Sequence, residues 1–247
     1  TILRASRNDH NWYGALSTLS TDINENIELL AGLDLRYYEG KHYQEVTDLL
    51  GGQYWFDDSD ANNPVNLAQV GDKISYNNDG IVLWEGGFLQ AEYSKNDLDA
   101  FISVAASNTS YKRIDYFNYT DNDPLQETDF INFFGYQVKG GANYNFTRSS
   151  GVFANIGYFE RAPFFDAVFL NFQNDINADA PNQKIFSAEV GYTFRTDKWR
   201  ANVNAYRTQW NDKSENYSYN NPDGSLGVAN ILGVNALHQG IEVDFEY

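Results

Sequence analysis

The chain has 247 residues, a formal net charge of −17, 16% aromatic residues and no cysteine. The absence of cysteine excludes disulfides and thiolate metal sites, and the acidic balance argues against a basic patch that would bind nucleic acid. No run approaches about 18 consecutive apolar residues, which excludes a helical membrane span. Strands that cross a membrane need an apolar residue only at every second position, so the composition is compatible with a transmembrane barrel.

The first predicted hairpin covers about residues 12–38 and turns at Asn24-Glu25-Asn26. Apolar residues such as Leu33 alternate in it with polar ones such as Asp34, and this period of two is typical of a strand with one apolar and one polar face. Residues 39–79 follow with many Gly, Asp and Asn residues, a composition that predicts a long loop.

Three more hairpins follow along the chain. The second covers about residues 80–111 and turns at Lys95-Asn96-Asp97. The third and fourth lie within residues 135–207 and turn at 147–151 and at Thr196-Asp197-Lys198. The long loops are predicted at residues 39–79, 112–130, 161–183 and 211–235, the last with Asn221-Pro222-Asp223-Gly224, and a final strand runs to the end of the sequence.

Residues 135–207 show the two faces of the predicted sheet most clearly. One face carries apolar residues such as Val138 and Val190. The other face is polar and carries Lys139, Asn143, Asn145, Asn155, Glu189, Arg200, Asn202 and Asn204. A sheet of this kind either covers a separate core or closes on itself with lipid outside and water inside.

The predicted connections alternate strictly between short turns and long loops, so the short turns lie at one end of the sheet and the long loops at the other. This arrangement is typical of outer-membrane barrels, whereas a β-sandwich would mix its connections. About nine strands are predicted, and single-chain bacterial barrels close with an even number. The sequence therefore predicts an all-β fold in which residues 1–247 form part of a larger antiparallel, up-and-down transmembrane β-barrel.

Four motifs carry a family resemblance: Tyr158-Phe159-Glu160-Arg161-Ala162-Pro163, Glu189-Val190-Gly191-Tyr192, Ala201-Asn202-Val203-Asn204-Ala205-Tyr206 and His238-Gln239-Gly240-Ile241-Glu242-Val243. In this order they resemble strands from the barrel of TonB-dependent outer-membrane receptors, and the resemblance covers most of the chain. It implies a barrel of roughly 22 strands around a plug domain. Neither the plug nor the C-terminal strands are expected within residues 1–247.

The resemblance also implies a function and its partners. The implied function is TonB-dependent uptake of a bulky extracellular ligand, whose class (siderophore, glycan or peptide) is left open. The implied location is the lipid bilayer of the cell outer membrane. The TonB complex would act through the absent plug, a surface lipoprotein would be a further partner, and neither a nucleic acid nor an enzymatic activity is implied.

Aromatic residues in the loops are the candidate ligand contacts, because Tyr and Trp offer a flat apolar area with a polar handle. They are Tyr54, Trp55, Phe56, Phe164, Phe165, Tyr217 and Tyr219. Loop packing explains these aromatic residues equally well. Arg161 and Pro163 are predicted to have a structural role at the rim, where Pro163 ends the strand by removing a backbone donor.

The sequence offers no catalytic, cofactor or metal site. The three histidines are far apart, and the acidic run that begins at Asp58 lacks the Gly and Glu of an EF-hand loop. Two other functions stay open: a passive porin-type channel, and a soluble β-sandwich module that binds carbohydrate or acts as an adhesin. The sandwich predicts that apolar residues such as Leu33, Tyr136, Val138 and Val190 pack against a second sheet.

Overall fold

The computed structural model of the chain describes residues 1–220, 222 and 226–247. Its elements are β1 Leu3–Asn24, β2 Ile27–Asp48, β3 Trp55–Asp57, β4 Asn66–Ala68, β5 Lys73–Lys95, β6 Leu98–Asp115, β7 Ile131–Thr147, β8 Ser150–Arg161, α1 Phe165–Val168, β9 Phe169–Leu170, β10 Asp175–Ile176, β11 Gln183–Arg195, β12 Arg200–Asn220 and β13 Leu226–Glu246. Nine strands form one antiparallel sheet in the order β1-β2-β5-β6-β7-β8-β11-β12-β13, so neighbours in the sheet are also neighbours along the chain, apart from the short ribbon strands. The nine predicted strands are therefore confirmed.

The four short turns lie where the sequence predicts them, at residues 25–26, 96–97, 148–149 and 196–199. At the opposite end, residues 49–72, 116–130 and 162–182 connect the hairpins. We call these three connections loop A, loop B and loop C. Two of them contain small two-stranded ribbons, β3 with β4 in loop A and β9 with β10 in loop C.

The strands next to loop A are longer than the sequence predicts. The predicted loop at residues 39–79 is wrong at both ends, because β2 continues to Asp48 and β5 begins at Lys73. The first hairpin likewise begins at Leu3 instead of near Trp12. Polar residues dominate both faces in these extensions, so period two gives no clear signal there. Backbone pairing continues, and cross-strand contacts such as Asn8 with His42, 2.8 Å apart, join the side chains.

The predicted fourth loop at residues 211–235 is wrong. β12 runs on to Asn220 and β13 begins at Leu226, and the register shifts between Trp210 and Glu215. Asp212 has a positive φ of 57° there. The polar run is a β-bulge within the ladder. Of the predicted turn Asn221-Pro222-Asp223-Gly224, only Pro222 lies among the described residues.

The apolar face of the sheet is not covered by a second sheet within the described residues. Leu33 is 61% exposed, Val138 44% and Val190 58%, although all three are aliphatic. Tyr136, on the same face, is 41% exposed. The packing that a β-sandwich requires is therefore absent from the described part of the chain.

Two rows of aromatic residues border the apolar face. Tyr136 and Tyr158 lie 5.9 Å apart, by ring centroids, in the row nearer the long loops, and Phe146 and Tyr192 lie 6.3 Å apart in the row nearer the short turns. Tyr136 and Phe146 are ten residues apart on β7. For a strand tilted by about 40°, this spacing corresponds to a height of roughly 25 Å, which matches the apolar band of an outer-membrane barrel.

The opposite face is polar, as predicted, and it also carries aromatic rings. The ring of Phe153 lies over Gly191 on the neighbouring strand, where a Cβ atom would collide with it. Glycine at this position lets the ring lie along the wall. No helix in the described part of the chain is long and apolar enough to cross a membrane.

Candidate functional site

The three long loops contact one another in chain order, and we call them together the outer-loop assembly. Asn62 of loop A joins loop A to loop B. Its Nδ2 donates to the carbonyl oxygen of Tyr119 at 3.2 Å, and its Oδ1 accepts from the backbone N–H of Asp121 at 2.8 Å. The backbone N–H of Ala61 donates to the carbonyl oxygen of Phe117 at 2.8 Å.

Asn174 of loop C joins loop C to loop B. Its Nδ2 donates to the carbonyl oxygens of Leu125 and Gln126 at 2.8 and 2.7 Å, and its Oδ1 accepts from Nη1 of Arg113 at 2.8 Å. Asn174 is buried, and its amide thereby satisfies groups on two other segments.

A buried ion pair at the outer end of β6 supports this junction. Nη1 of Arg113 lies 2.9 Å from Oδ2 of Asp115, and both side chains are less than 5% exposed. Asp115 also accepts the backbone N–H groups of Phe117 and Asn118, at 3.2 and 3.0 Å. Burial lowers the pKa of Arg113, and the hydrogen bond to Asp115 opposes this shift. A buried pair of this kind is costly unless its other donors and acceptors are also hydrogen-bonded. Here Asp115 bonds to loop B and Arg113 bonds to Asn174 of loop C, so the pair holds both loops in one arrangement.

Loop C folds onto the polar face and forms an apolar cluster there. Tyr111, Ala162, Val168, Phe169 and Ala180 are buried in it, with Val82, Ile131, Phe133 and Phe165 packed against them. The ring centroid of Phe165 lies 4.7 Å from that of Phe169 and 5.5 Å from that of Tyr111. The Phe165 ring also packs on Gly80 of β5, where a Cβ atom would lie 3.1 Å from Cζ. Tyr111 donates its hydroxyl to the carbonyl oxygen of Pro163 at 2.9 Å, and burial raises the pKa of Tyr111 to about 12.

The other side of loop C contacts the last two strands. Nδ2 of Asn216 on β12 donates to Oδ2 of Asp166, and Nδ2 of Asn230 on β13 donates to the carbonyl oxygen of Asp166 at 2.9 Å. Together with the contact at Gly80, these bonds show that loop C extends over the polar face from β5 to β13.

The predicted ligand residues do not form one surface. Tyr54 and Phe56 are each 51% exposed, whereas Trp55 packs against the small core below loop A. Phe165 lies in the apolar cluster of loop C. Tyr217 and Tyr219 are 62% and 43% exposed and belong to β12 instead of a loop. The predicted role of each in ligand binding stays a prediction.

The predicted rim residues lie at the start of loop C. β8 ends at Arg161, whose guanidinium carbon is 5.3 Å from the ring centroid of Phe164. Pro163 is fully buried and provides the carbonyl acceptor for Tyr111. The sequence does not predict the roles of Asn62, Asn174 or the Arg113–Asp115 pair. The position of Arg113 and Asp115 on the inward face of β6 was the only signal for them, and an isolated loop Asn gives none.

All charged residues of the outer-loop assembly are acidic. The three loops contain eleven acidic residues and no Lys, Arg or His. The acidic residues are Asp57, Asp58, Asp60, Asp72, Asp121, Asp123, Glu127, Asp129, Asp166, Asp175 and Asp179. In the described part of the chain, no group of three or more His, Asp or Glu side chains is placed to hold a metal ion.

The family model for the β-barrel of TonB-dependent receptor-like proteins matches residues 2–247. The chain belongs to this family. Family members are outer-membrane receptors and transporters, so the apolar face of the sheet faces lipid and the polar face lines the barrel lumen. No curated protein sequence matches the chain.

Solved structures of TonB-dependent transporters share the fold. The copper transporter OprC matches with a TM-score of 0.72 and 15% identity, over 98% of this chain and 36% of its own. The FrpB iron transporter from Neisseria meningitidis matches with a TM-score of 0.64 and 12% identity, over 97% of this chain and 33% of its own. The ferric citrate transporter FecA matches with a TM-score of 0.61 and 12% identity, over 98% of this chain and 33% of its own. The chain thus spans about a third of the length of these structures.

Proposed function

We propose that residues 1–247 form part of the wall of a larger outer-membrane barrel, which takes up a bulky extracellular ligand with energy from the TonB complex. The carrying observation is that one face of the sheet is apolar between two aromatic rows, while the other is polar and covered at its outer end by the outer-loop assembly. A wall of this kind separates lipid from a wet lumen. An extracellular ligand would contact the loops before it enters the lumen.

Energy coupling is a function of the plug domain. We place this domain in a part of the full-length receptor other than these strands. The TonB complex is therefore a partner of the receptor and not of the sheet. A surface lipoprotein that covers the loops is a second proposed partner. The proposed ligand is a siderophore, a glycan or a peptide, and no enzymatic step is proposed.

The test compares uptake with passive permeation in the full-length receptor that contains this chain. We expect the purified receptor to give no steady conductance in a planar bilayer, because a plug closes the lumen. We expect cells that express it to accumulate a labelled probe ligand only when the TonB complex is intact. The probes are ⁵⁵Fe ferric citrate, a Cu(II) salt, a maltodextrin and a short peptide. A steady open channel, with uptake that is independent of TonB, would identify a passive porin instead.

A further inference from the structure

The ribbon of β3 and β4 in loop A has two different faces. On one face, Trp55 and Ala68 pack against Val46, Leu49 and Ile74 at the outer ends of β2 and β5. Asp57 on the same face is buried, and it accepts the hydroxyl of Ser59 at 2.7 Å. This face fixes the ribbon to the sheet.

The opposite face of the ribbon is apolar and uncovered in the described part of the chain. Phe56 and Leu67 are each 51% exposed on this face, and the flanking residues Tyr54 and Val65 are 51% and 69% exposed. Phe56 and Leu67 are directly paired across the two strands, so their side chains stand next to each other on this face. A contiguous apolar patch on a water-exposed loop is typical of an interaction site. We call these four residues the ribbon face.

The charged residues of loops A and B are all acidic. Asp58 follows β3 directly, and the Asn62 contacts bring loop B, with Asp121 and Asp123, next to the turn of the ribbon. Loops A, B and C offer no basic side chain that could neutralise these carboxylates. An anionic ligand is repelled from such a rim, and a purely hydrophilic cation would leave the four apolar side chains exposed to water.

We propose that the ribbon face docks a cationic peptide, whose apolar side chains cover Phe56 and Leu67 while its Lys or Arg residues meet the acidic rim. The proposal rests on the proposed uptake function, of which this peptide is the cargo. The ribbon is pre-organised for it: Gln69 Nε2 donates to the carbonyl oxygen of Gln53 at 2.9 Å, and Asp57 anchors the far end of β3. Binding to a fixed surface loses little conformational entropy.

The test measures peptide binding to the full-length receptor in nanodiscs of neutral phosphatidylcholine, where neither TonB nor anionic lipid is present. The probe is a fluorescent synthetic peptide in which Lys alternates with Leu and Tyr. We expect it to bind wild type, to bind more weakly as salt is raised, and to lose at least about tenfold in affinity in the Phe56→Ser/Leu67→Ser double variant. Phe172→Ser, at a residue 57% exposed on loop C, is the matched control and should bind as wild type does.

Two further peptides separate the contributions of charge and apolar area. One carries Glu in place of Lys, and the other carries Ser in place of Leu and Tyr; both should bind at least about tenfold more weakly than the probe. Limited proteolysis confirms that loop A of the double variant is folded. Failure of wild type to bind the probe, equal binding by the Glu peptide, or unchanged affinity in the double variant overturns the proposal. None of these results bears on TonB-dependent uptake, which the conductance and accumulation experiments test separately.

Discussion

The Arg113–Asp115 pair is the residue-scale feature on which the arrangement of loops B and C depends most. Replacing Arg113 by Ala leaves the buried carboxylate of Asp115 without its cationic partner and the Oδ1 of Asn174 without its donor. Breaking a buried pair in this way typically costs about 3–5 kcal/mol. We expect Arg113→Ala to open loops B and C, which hydrogen exchange would detect as lost protection at residues 116–130 and 162–182.

The control for this experiment is a pair that is exposed. Arg200 lies 3.7 Å from Glu246, with both side chains more than half exposed. Such pairs contribute about 0–1 kcal/mol, so Arg200→Ala should leave both loops protected. Equal protection in Arg113→Ala and wild type would show that the buried pair does not hold the loops.

Gly80 is the second residue-scale test, because the Phe165 ring rests on its backbone. We expect Gly80→Val to displace Phe165 and to lower the hydrogen-exchange protection of loop C, since a branched side chain has no space at this contact. At Gly14 a Cβ atom would meet only the carbonyl oxygen of Leu35 and Cγ of Arg36, at 3.4 and 3.9 Å, so Gly14→Val is the matched control. A protected loop C in Gly80→Val would contradict its placement on the polar face.

At the scale of elements, loop B is joined to β5 through a titrating group. Tyr116 donates its hydroxyl to Oδ2 of Asp79 at 2.9 Å, and burial raises the pKa of Asp79 above its ordinary value, with the Tyr116 hydrogen bond opposing. The packed state therefore binds more protons than the open state. Its stability rises as pH falls from neutral through the raised pKa, and the gain is complete below about pH 3.8.

We accordingly expect the protection of loop B, corrected for intrinsic exchange, to increase as the pH is lowered from 7 towards 3.8. Asp79→Asn should flatten this dependence, because the amide cannot ionise and its oxygen can still accept from Tyr116. Asp129→Asn, at an exposed position of the same loop, should leave the dependence unchanged. If the protection of loop B falls on acidification, or if its pH dependence is unchanged in Asp79→Asn, the effect arises from other groups.

The sequence predicts well the part of each strand that lies between the two aromatic rows. It predicts the outer ends of the strands and the loops less well. Alternation such as Val138–Lys139 arises because the face towards lipid is apolar and the face towards water is polar. This pattern locates both faces of the sheet and all four short turns. Beyond the aromatic rows water surrounds the strands, so the outer ends of β2 and β12 show no clear alternation and the sequence predicts loops there. Loop C could not be placed, because contacts such as Tyr111 with Pro163 join residues 52 positions apart.

At the scale of the whole molecule, the two faces of the sheet have different solvents. Val190 lies on the lipid face near the middle of the band, and Asn202 lies on the lumen face of the next strand. An Arg at the bilayer midplane costs about 2–4 kcal/mol, whereas the lumen accepts a charge. We expect Val190→Arg to destabilise the full-length receptor in lipid vesicles by this amount, as measured by urea unfolding. Asn202→Arg should change its stability by less than about 1 kcal/mol.

The assignment of the two faces is the central claim, and accessibility measured with spin labels tests it most directly. The chain contains no cysteine, so a nitroxide can be attached at Val190→Cys or Asn202→Cys without removing any native thiol from it. In the full-length receptor in lipid vesicles, we predict that the label at position 190 is relaxed by lipid-soluble oxygen and not by a water-soluble nickel chelate. The label at position 202 should show no such preference for oxygen. A label at position 190 that the nickel chelate relaxes, or one at position 202 that responds only to oxygen, would contradict the account.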